Sequence, residues 1–412
     1  MSLSRFIIDI SPLRESRAFR YAYAARTASV LVTGMMLVAA SIQLYELSQS
    51  SVAVALLSVS MAVPMVIALL IGGVLSDRID RRKLMMWSRS VYVLSVLLFL
   101  INTLLSTPSI ALIYIAAMIG GAASGISIPA MMSATPALVG KQHLASAAAL
   151  SGLSMQLGGV LGPLLAGALI ASPGGLVMCY SIVLVGVLTT PFLLSALPAL
   201  PPRGGDGKPS SAIHAFAEGF HYMLRTPLLR NLLLIDLVAV VFATPLALLP
   251  EWGDVVLGQG ASVTGALYAA PAIGAALTAL SSGWIRSLKR PGITIIGAVL
   301  VWGLAIIALS QSTHLYPSMI ALAIMGSADT LSKMLRMTLV QRHTPDHLLG
   351  RMSALWMTQS SIGTAAGNLQ MGSMAKWFSP SIALFVGGCA CTLSAGLFAS
   401  RHNALKTVNG HT

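Results

Sequence analysis

Long apolar stretches alternate with short polar gaps along almost the whole chain. Because an α-helix rises 1.5 Å per residue, about 20 apolar residues cross the ~30 Å hydrocarbon core of a bilayer. Twelve stretches of that kind are predicted membrane spans, at 27–45, 52–75, 84–105, 110–132, 147–170, 176–197, 231–249, 262–282, 293–309, 316–340, 353–374 and 381–400. None shows the alternation of a membrane β-barrel. The pattern predicts an all-α membrane protein.

The composition excludes a soluble globular protein. Hydrophobic residues make up 56% of the chain and charged residues only 9%, whereas soluble domains carry about 25% charged residues. The net charge of +13 does not indicate a nucleic-acid partner, because the cations lie between apolar stretches and form no basic stripe.

The positions of the cations predict the orientation in the membrane. All but three of the 25 Lys and Arg residues lie at the two termini or in and beside the even-numbered gaps between spans, the exceptions being Lys333, Arg336 and Lys376. Positive residues concentrate on the cytoplasmic side of membrane proteins. Both the N- and the C-terminus are therefore predicted to be cytoplasmic.

The longest polar interruption divides the spans six and six. It begins with the proline- and glycine-rich sequence PALPPRGGDGKP. Apolar residues then recur at helical spacing, at Ile213, Phe216, Ala217, Phe220 and Met223, which predicts an amphipathic surface helix or a plain linker helix. The predicted organisation is an N-terminal six-helix half at 1–197, a cytoplasmic central loop at 198–227 and a C-terminal six-helix half at 228–412.

An internal repeat supports the two halves. A shift of 205 residues brings five positions of span five onto five identical residues of span eleven. The aligned residues are Leu144, Leu150, Gly158, Gly162 and Gly167 with Leu349, Leu355, Gly363, Gly367 and Gly372. Parallel repeats are a transporter design, with the substrate site near the midplane between the halves.

The gap between spans two and three carries the most specific local motif, GGVLSDRIDRRK from Gly72 to Lys83. Glycine permits close backbone approach, and Asp with Arg can form a charge network that holds one conformation and breaks in another. The alternative is that the cations only follow the positive-inside rule. Because Asp77 has no topological role, the motif favours gating.

This motif resembles the loop signature G-x-L-x-D-R-x-G-R-R of the major facilitator superfamily. The matching residues, predicted to form a gating loop, are Gly73, Asp77, Arg78, Arg81 and Arg82, while Asp80 replaces the usual second glycine. The resemblance implies a major facilitator superfamily fold of twelve transmembrane helices in two six-helix halves.

Span five resembles the glycine-proline motif of the superfamily's proton antiporters. The antiporter-like residues are Gly158, Gly162, Pro163 and Gly167. The resemblance implies that export is coupled to proton entry. The alternative interpretation, that small residues four apart simply let membrane helices pack closely, stays open.

Ionisable residues inside spans are costly and usually face a cavity, so they are candidates for function. Four charges qualify: Asp236 in span seven, and Asp329, Lys333 and Arg336 in span ten. The three in span ten share one helix face. The spacing predicts an Asp329–Lys333 pair and leaves Arg336 free for an anion, or else snorkelling towards the surface.

In the family, spans one, four, seven and ten line the cavity, and the resemblance places these charges there. Asp236 is the first candidate for proton coupling, because burial disfavours a charged carboxylate, and Asp329 is the second. The candidate substrate-binding residues are Lys333, Arg336, Asp329, Gln43 and Arg26.

No enzyme, cofactor or metal site is predicted. The chain contains no Walker-type Gly-Lys-Ser loop and no recognisable Ser/His/Asp arrangement. Its cysteines, Cys179, Cys389 and Cys391, lie in apolar stretches without metal-ligand spacing, which indicates buried thiols.

Longer stretches resemble the bacterial enterobactin exporter family. They are ATPALVG at 134–140, LPALPP at 197–202, LYAA at 267–270, and Thr344-Pro with Leu349-Gly-Arg351 through Leu355-Trp356 and Gln359. The resemblance implies a monomeric, multi-pass inner-membrane exporter that moves a catecholate siderophore and is driven by protons. The charged face of span ten departs from that family, which suggests a different or more acidic siderophore.

Two other functions are weighed against siderophore export. A multidrug or macrolide proton antiporter is expected to have a more aromatic pocket, whereas aromatic residues are only 6% of this chain. A membrane sensor or scaffold that transports nothing would not need Asp77 or Asp236.

Overall fold

The computed structural model describes residues 9–201, 212–345 and 348–401, and these residues form helices and no strands. Fourteen α-helices of five or more residues lie in these ranges: α1 (Ser11–Glu15), α2 (Arg17–Ser48), α3 (Ser51–Arg78), α4 (Arg81–Leu104), α5 (Ile110–Val139), α6 (Leu144–Ile170), α7 (Gly175–Ser195), α8 (Ala212–Arg225), α9 (Pro227–Phe242), α10 (Ala261–Leu280), α11 (Pro291–Ser310), α12 (Leu315–Arg342), α13 (Leu349–Trp377) and α14 (Pro380–Arg401). Short helical turns lie at Lys141–His143, Leu246–Leu248, Leu249–Glu251, Trp252–Val256 and Ser282–Ser287.

Ten helical segments in the described ranges are long and apolar enough to cross a membrane. The predicted spans 316–340 and 353–374 are also helical, as α12 and α13, but they are not among those ten. Their 28 and 29 residues are long enough to cross a bilayer. The all-helical class is confirmed, and the count of twelve spans stays a prediction.

The helix that contains the first predicted span begins ten residues before it, because α2 starts at Arg17 and not at residue 27. The added segment, RAFRYAYAAR, is rich in Ala and Arg, which have high helix propensity. Apolar runs mark the part of a helix that lies in lipid and miss its polar ends. As a result, Arg26 lies inside a helix rather than before one.

The chain divides into two compact units. The first comprises Met1–Ala40 and Val63–Ala212, and the second comprises Ser41–Ala62 and Ile213–Thr412. A core in the first unit collects apolar residues of α2, α4, α5, α6 and the end of α7, including Phe19, Met85 and Leu194.

Glycines allow close helix packing in the first unit. A Cβ atom at Gly158 of α6 would lie 2.6 Å from the Cγ1 atom of Val30, and one at Gly162 would lie 2.8 Å from the carbonyl oxygen of Leu31. Both contacts are with α2. Since real Cβ atoms do not come this close to other atoms, α6 and α2 can pack at this distance only because both positions are glycine.

The same arrangement recurs within the second unit, where α13 packs on α9. A Cβ atom at Gly367 would collide with the carbonyl oxygen of Val240, and one at Gly363 would lie 3.3 Å from the Cγ1 atom of Val240. These glycines are the repeat partners of Gly162 and Gly158. The internal repeat therefore preserves a helix–helix contact in each unit.

The predicted span 231–249 is not one continuous helix. The helix α9 ends at Phe242, and short turns follow Pro245. Side chains satisfy the exposed backbone groups: the indole Nε1 of Trp302 donates to the carbonyl of Ala243 at 2.8 Å, and the hydroxyl of Tyr268 donates to that of Leu246 at 2.8 Å. Non-helical backbone at membrane depth requires such partners.

The helix α8 lies where the apolar spacing predicts one in the central loop. Its Glu218 forms an ion pair with Arg351 at the start of α13. The hydroxyl of Tyr222 donates to the carbonyl of His343, next to the end of α12, at 2.9 Å. These contacts attach α8 to the polar ends of two long helices in its own unit.

Candidate functional site

A buried ion pair lies inside the second unit. Asp236 of α9 forms a salt bridge with Arg336 of α12, and each residue is only 3% exposed. The expectation that Arg336 stays free for an anion is therefore wrong. Sequence spacing identifies neighbours within one helix, whereas this partner comes from another helix through tertiary packing.

Two further contacts fix the guanidinium of Arg336. Its Nε donates to the carbonyl of Ser332, one turn earlier, at 3.3 Å. Its Cζ lies 5.6 Å from the ring centroid of Trp356 on α13, which is within the range of a cation–π interaction. Three helices, α9, α12 and α13, thus meet at one cation.

Polar atoms without hydrogen-bond partners lie on α12 and α13, the two helices whose Ser332 and Trp356 contact this cation. Among the described residues, the hydroxyl of Ser332, the indole Nε1 of Trp356 and both amide atoms of Gln359 are buried and lack a hydrogen-bond partner. Gln359 lies one turn beyond Trp356, near α9. Buried polar groups normally have partners. These atoms are therefore available for a polar ligand or for water.

The predicted pair on α12 is confirmed. The Nζ atom of Lys333 lies 2.7 Å from the Oδ2 atom of Asp329. Half of the Lys333 side chain is exposed, at 52%, against 21% for Asp329. This pair is thus much more accessible than the pair of Asp236 with Arg336.

The arrangement can exchange ligands. Since a buried cation needs a counter-charge, Arg336 must keep Asp236 or replace it with another anion. A proton on Asp236 would remove the counter-charge, and an anionic ligand on Arg336 would take its place. The site can therefore respond to both a proton and an anion.

The structure places the gating-loop candidates in different surroundings. Arg78 is exposed, whereas Arg81 is buried and its Nε has no hydrogen-bond partner among the described residues. The side chain of Asp77 lies outside the described part, so its expected charge network stays a prediction. Arg82 donates to the carbonyl of Ser195 at the end of α7.

The glycine of close approach in this motif is Gly72 and not Gly73. A Cβ atom at Gly72 would lie 2.8 Å from the Cα atom of Ile126 on α5, while one at Gly73 would meet nothing within 4 Å. The alignment with the family motif pointed to Gly73, but Gly72 lies on the face of α3 that packs against α5.

Asp80, which replaces the second glycine of the family motif, has a structural role. Its side chain accepts from the backbone N–H of Arg82 at 2.8 Å and of Lys83 at 3.3 Å, and so caps α4. It also accepts from the N–H of Leu200 at 3.0 Å. An aspartate directly before a helical run is an N-cap signal that could have been recognised.

The structure places the remaining candidates on α2 and α6. Gln43 is buried in the second unit, and Arg26 lies in the first unit, where its Nε is buried. Pro163 is buried beside Gly162 and Gly167 in α6. No role was predicted for Trp356, Ser332 or Gln359, although an isolated Trp and Gln one turn apart on a membrane helix were visible signals.

Comparisons with known proteins agree with the helical architecture. A family model described as the Major Facilitator Superfamily matches residues 23–368. Two solved structures are similar in fold: a mutant of the nucleoside transporter NupG, with a TM-score of 0.79 at 9% identity, covers 92% of this chain and 98% of its own. A POT family transporter in complex with 5-aminolevulinic acid has a TM-score of 0.78 at 10% identity, covering 95% and 97%.

Curated relatives match over nearly the full length. A protein of Shigella boydii serotype 18 named enterobactin exporter EntS is 30% identical over 380 residues, which are 92% of this chain and 90% of the relative. A protein of Salmonella choleraesuis with the same name is 32% identical over 393 residues, 94% and 93% of the two chains. The resemblance seen in the sequence is confirmed, and the chain is a multi-pass protein of the bacterial inner membrane.

Proposed function

Because the chain belongs to the Major Facilitator Superfamily, we propose that it exports a siderophore, of the catecholate type represented by enterobactin, from the cytoplasm across the inner membrane. It acts as a transporter of a small molecule and catalyses no chemical reaction. The observation that carries this proposal is the similarity to curated enterobactin exporters over more than nine-tenths of the chain.

We further propose that export is coupled to protons through Asp236 and Arg336. The pair is buried and in contact, so its separation costs free energy unless another ligand compensates. A proton neutralises Asp236, or an anionic group of the cargo engages Arg336. If the carrier switches between its inward-facing and outward-facing states only when Asp236 is protonated or Arg336 holds cargo, it exchanges protons for cargo.

The accessible pair on α12 supports a role in cargo binding. Lys333 is half exposed and shares a helix face with Arg336, so its ammonium group can meet a second phenolate or carboxylate of the same cargo. Asp329 holds Lys333 when no cargo is bound. Asp329 is also the second candidate for proton coupling.

The proposal includes a membrane topology. The two long polar-faced helices α12 and α13 complete twelve spans, in two six-helix halves on either side of the central loop, with both termini in the cytoplasm. Asp77 and the neighbouring cations form the gating loop. The transporter works as a monomer and uses protons as its second substrate.

The test is mass spectrometry of culture medium and cell extract from an iron-starved deletion strain and its complemented parent. We expect the intact catecholate to disappear from the medium of the deletion strain and to accumulate, whole or degraded, inside the cells. Complementation with Arg336→Gln should restore less than a tenth of the export, because one charge-assisted contact is worth about 1.5–3 kcal/mol.

An unchanged siderophore profile, in a strain without another exporter, would contradict the proposal. In that case a panel of drugs, macrolides among them, would show whether the chain is a multidrug antiporter. A strain with unchanged siderophore profile and unchanged drug resistance would favour a sensor or scaffold.

A further inference from the structure

One side of α8 packs on the start of α13. A Cβ atom at Gly219 would lie 3.1 Å from the Cδ1 atom of Leu355 and 3.2 Å from the Cβ atom of Arg351. Arg351 also forms the ion pair with Glu218. Met223, one turn after Gly219, is buried. These contacts fix the orientation of α8 about its own axis, so its other sides face away from α13 in a defined way.

A second edge of α8 carries two large apolar side chains that stay exposed. Phe220 is 42% exposed and Leu224 is 40% exposed. Because they are four residues apart, they lie next to each other on the helix surface. The apolar face that the sequence predicts for this helix is therefore wider than its contact with the protein: Met223 is covered, while Phe220 and Leu224 are not.

Side chains that can carry positive charge follow this exposed edge. His221, Arg225 and Arg230 are all exposed, and within the described part of the chain none of them forms an ion pair. The acid on α8 that lies closest to them in sequence, Glu218, is already paired with Arg351. The edge thus offers an apolar strip beside unpaired cations, which suits a partner that is apolar and carries negative charge.

The helix α8 directly precedes a membrane-crossing segment. It ends at Arg225, and the segment Pro227–Val256 is long and apolar enough to cross a membrane. Leu224 lies three residues before Pro227, a distance that the chain spans with at most about 11 Å. The exposed edge therefore lies at the bilayer surface, where phospholipid is the nearest apolar partner.

We propose that Phe220, His221, Leu224, Arg225 and Arg230 form a lipid-binding edge for anionic phospholipid. The two apolar side chains insert at the boundary between headgroups and acyl chains, as in interfacial amphipathic helices. The two arginines pair with the phosphate groups, because basic residues at a membrane surface attract anionic headgroups. None of these residues belongs to the ion-pair site, so the proposal does not depend on which cargo is exported.

The first test measures lipid binding to the full chain by native mass spectrometry. The purified protein is titrated with phosphatidylglycerol, which is anionic, and with phosphatidylethanolamine, which has the same acyl chains but no net charge. Arg225→Gln/Arg230→Gln should weaken phosphatidylglycerol binding about tenfold or more and leave phosphatidylethanolamine binding unchanged. Phe220→Ser/Leu224→Ser should weaken binding of both lipids, because the acyl chains are common to both.

The matched control is Arg14→Gln/Arg20→Gln, which removes two exposed cations from α1 and α2. It should leave phosphatidylglycerol binding unchanged, and thermal unfolding shows that each variant is folded. Unchanged phosphatidylglycerol affinity in folded Arg225→Gln/Arg230→Gln would overturn the proposal. An equal loss of affinity in the control would also overturn it, because net charge would then govern binding.

A second test identifies what covers α8 in the membrane. Photoreactive benzoylphenylalanine replaces Phe220 in cells, and the purified chain is weighed after illumination. The reference is the same replacement at Phe192, which is 77% exposed on the membrane helix α7. We expect lipid adducts at both positions, with phosphatidylglycerol enriched at position 220. Equal lipid composition at the two positions, an unchanged mass at position 220, or crosslinking there to a second copy or to another protein would overturn the assignment to anionic lipid.

Discussion

The buried ion pair of Asp236 with Arg336 makes the stability of the protein sensitive to the loss of a single charge. Asp236→Asn leaves the guanidinium buried without a counter-charge, which should cost about 3–5 kcal/mol of unfolding free energy. The double variant Asp236→Asn/Arg336→Gln removes both charges and should regain most of that loss. Thermal unfolding of the purified proteins in detergent measures both effects.

The control for this prediction is Asp329→Asn. Half of the Lys333 side chain in the pair with Asp329 is exposed, so the loss of this pair should cost much less, about 1 kcal/mol. Equal destabilisation by Asp236→Asn and Asp329→Asn would show that burial does not govern the stronger pair.

Trp356 should stabilise Arg336 through its ring. A desolvated cation–π contact is worth about 1–2 kcal/mol. In a double-mutant cycle with Trp356→Leu and Arg336→Gln, we expect a coupling energy of that size, measured by unfolding. Trp356→Phe keeps a ring and should lose less than Trp356→Leu, and additive effects of the two single variants would contradict the contact.

The sequence predicted which charged residues belong to the site but not which of them pair with each other. Asp236 and Arg336 each attract attention because ionisable residues are rare inside spans. Their distance along the chain is 100 residues, so only the packing of α9 against α12 reveals the pair. The Asp329–Lys333 pair was predictable because helix geometry alone brings residues four apart together.

Substitution of a glycine on α6 tests whether close helix packing stabilises the protein. Gly162→Ala places a Cβ atom 2.8 Å from the carbonyl of Leu31 and 3.0 Å from Gly34. Since backbone atoms cannot turn away, the change should destabilise the protein by about 1–3 kcal/mol. Unfolding in detergent measures the loss.

Gly152→Ala is the matched control on the same helix, because a Cβ atom there would meet nothing within 4 Å. Alanine has the higher helix propensity, so this change should be neutral or stabilise by up to about 1 kcal/mol. Destabilisation by Gly152→Ala as large as by Gly162→Ala would mean that helix packing is not the reason.

The long helices could be predicted from the sequence more readily than the break within one of the predicted spans. The apolar stretches located the long helices, and the repeat located the glycines that pack α6 on α2 and α13 on α9. The break after Phe242 was missed because the stretch 231–249 is predominantly apolar on both sides of it. Pro245 was the available signal, since a proline disfavours helix at the residue before it.

The topology of the whole chain is testable with single cysteines. In a cysteine-free background, Ser106→Cys lies between α4 and α5, and Lys289→Cys lies before α11, both at exposed positions. If both termini are cytoplasmic and spans alternate, position 106 faces the periplasm and position 289 the cytoplasm. A membrane-impermeant maleimide should then label Ser106→Cys in intact spheroplasts and Lys289→Cys only after lysis. Labelling of both variants in intact spheroplasts would contradict this topology.

Proton-driven exchange is a property of the whole molecule. In everted membrane vesicles, the lumen corresponds to the periplasm, so an acidic lumen should drive siderophore uptake. One pH unit supplies about 1.4 kcal/mol per proton, enough for about tenfold accumulation in one-for-one exchange. Asp236→Asn, which cannot exchange a proton, should lose this accumulation, and radiolabelled siderophore in filtered vesicles measures it.

A carboxylate outside the membrane provides the control. Hydrogen bonds from Ser11, and then from Ser146, lower the pKa of Asp9 to about 2. Asp9 therefore stays ionised in the folded protein down to roughly that pH and carries no proton between pH 5 and 8. Asp9→Asn should keep the full gradient-driven accumulation. If Asp236→Asn also keeps it while a protonophore still abolishes it, the coupling proton binds another group, with Asp329 the next residue to test.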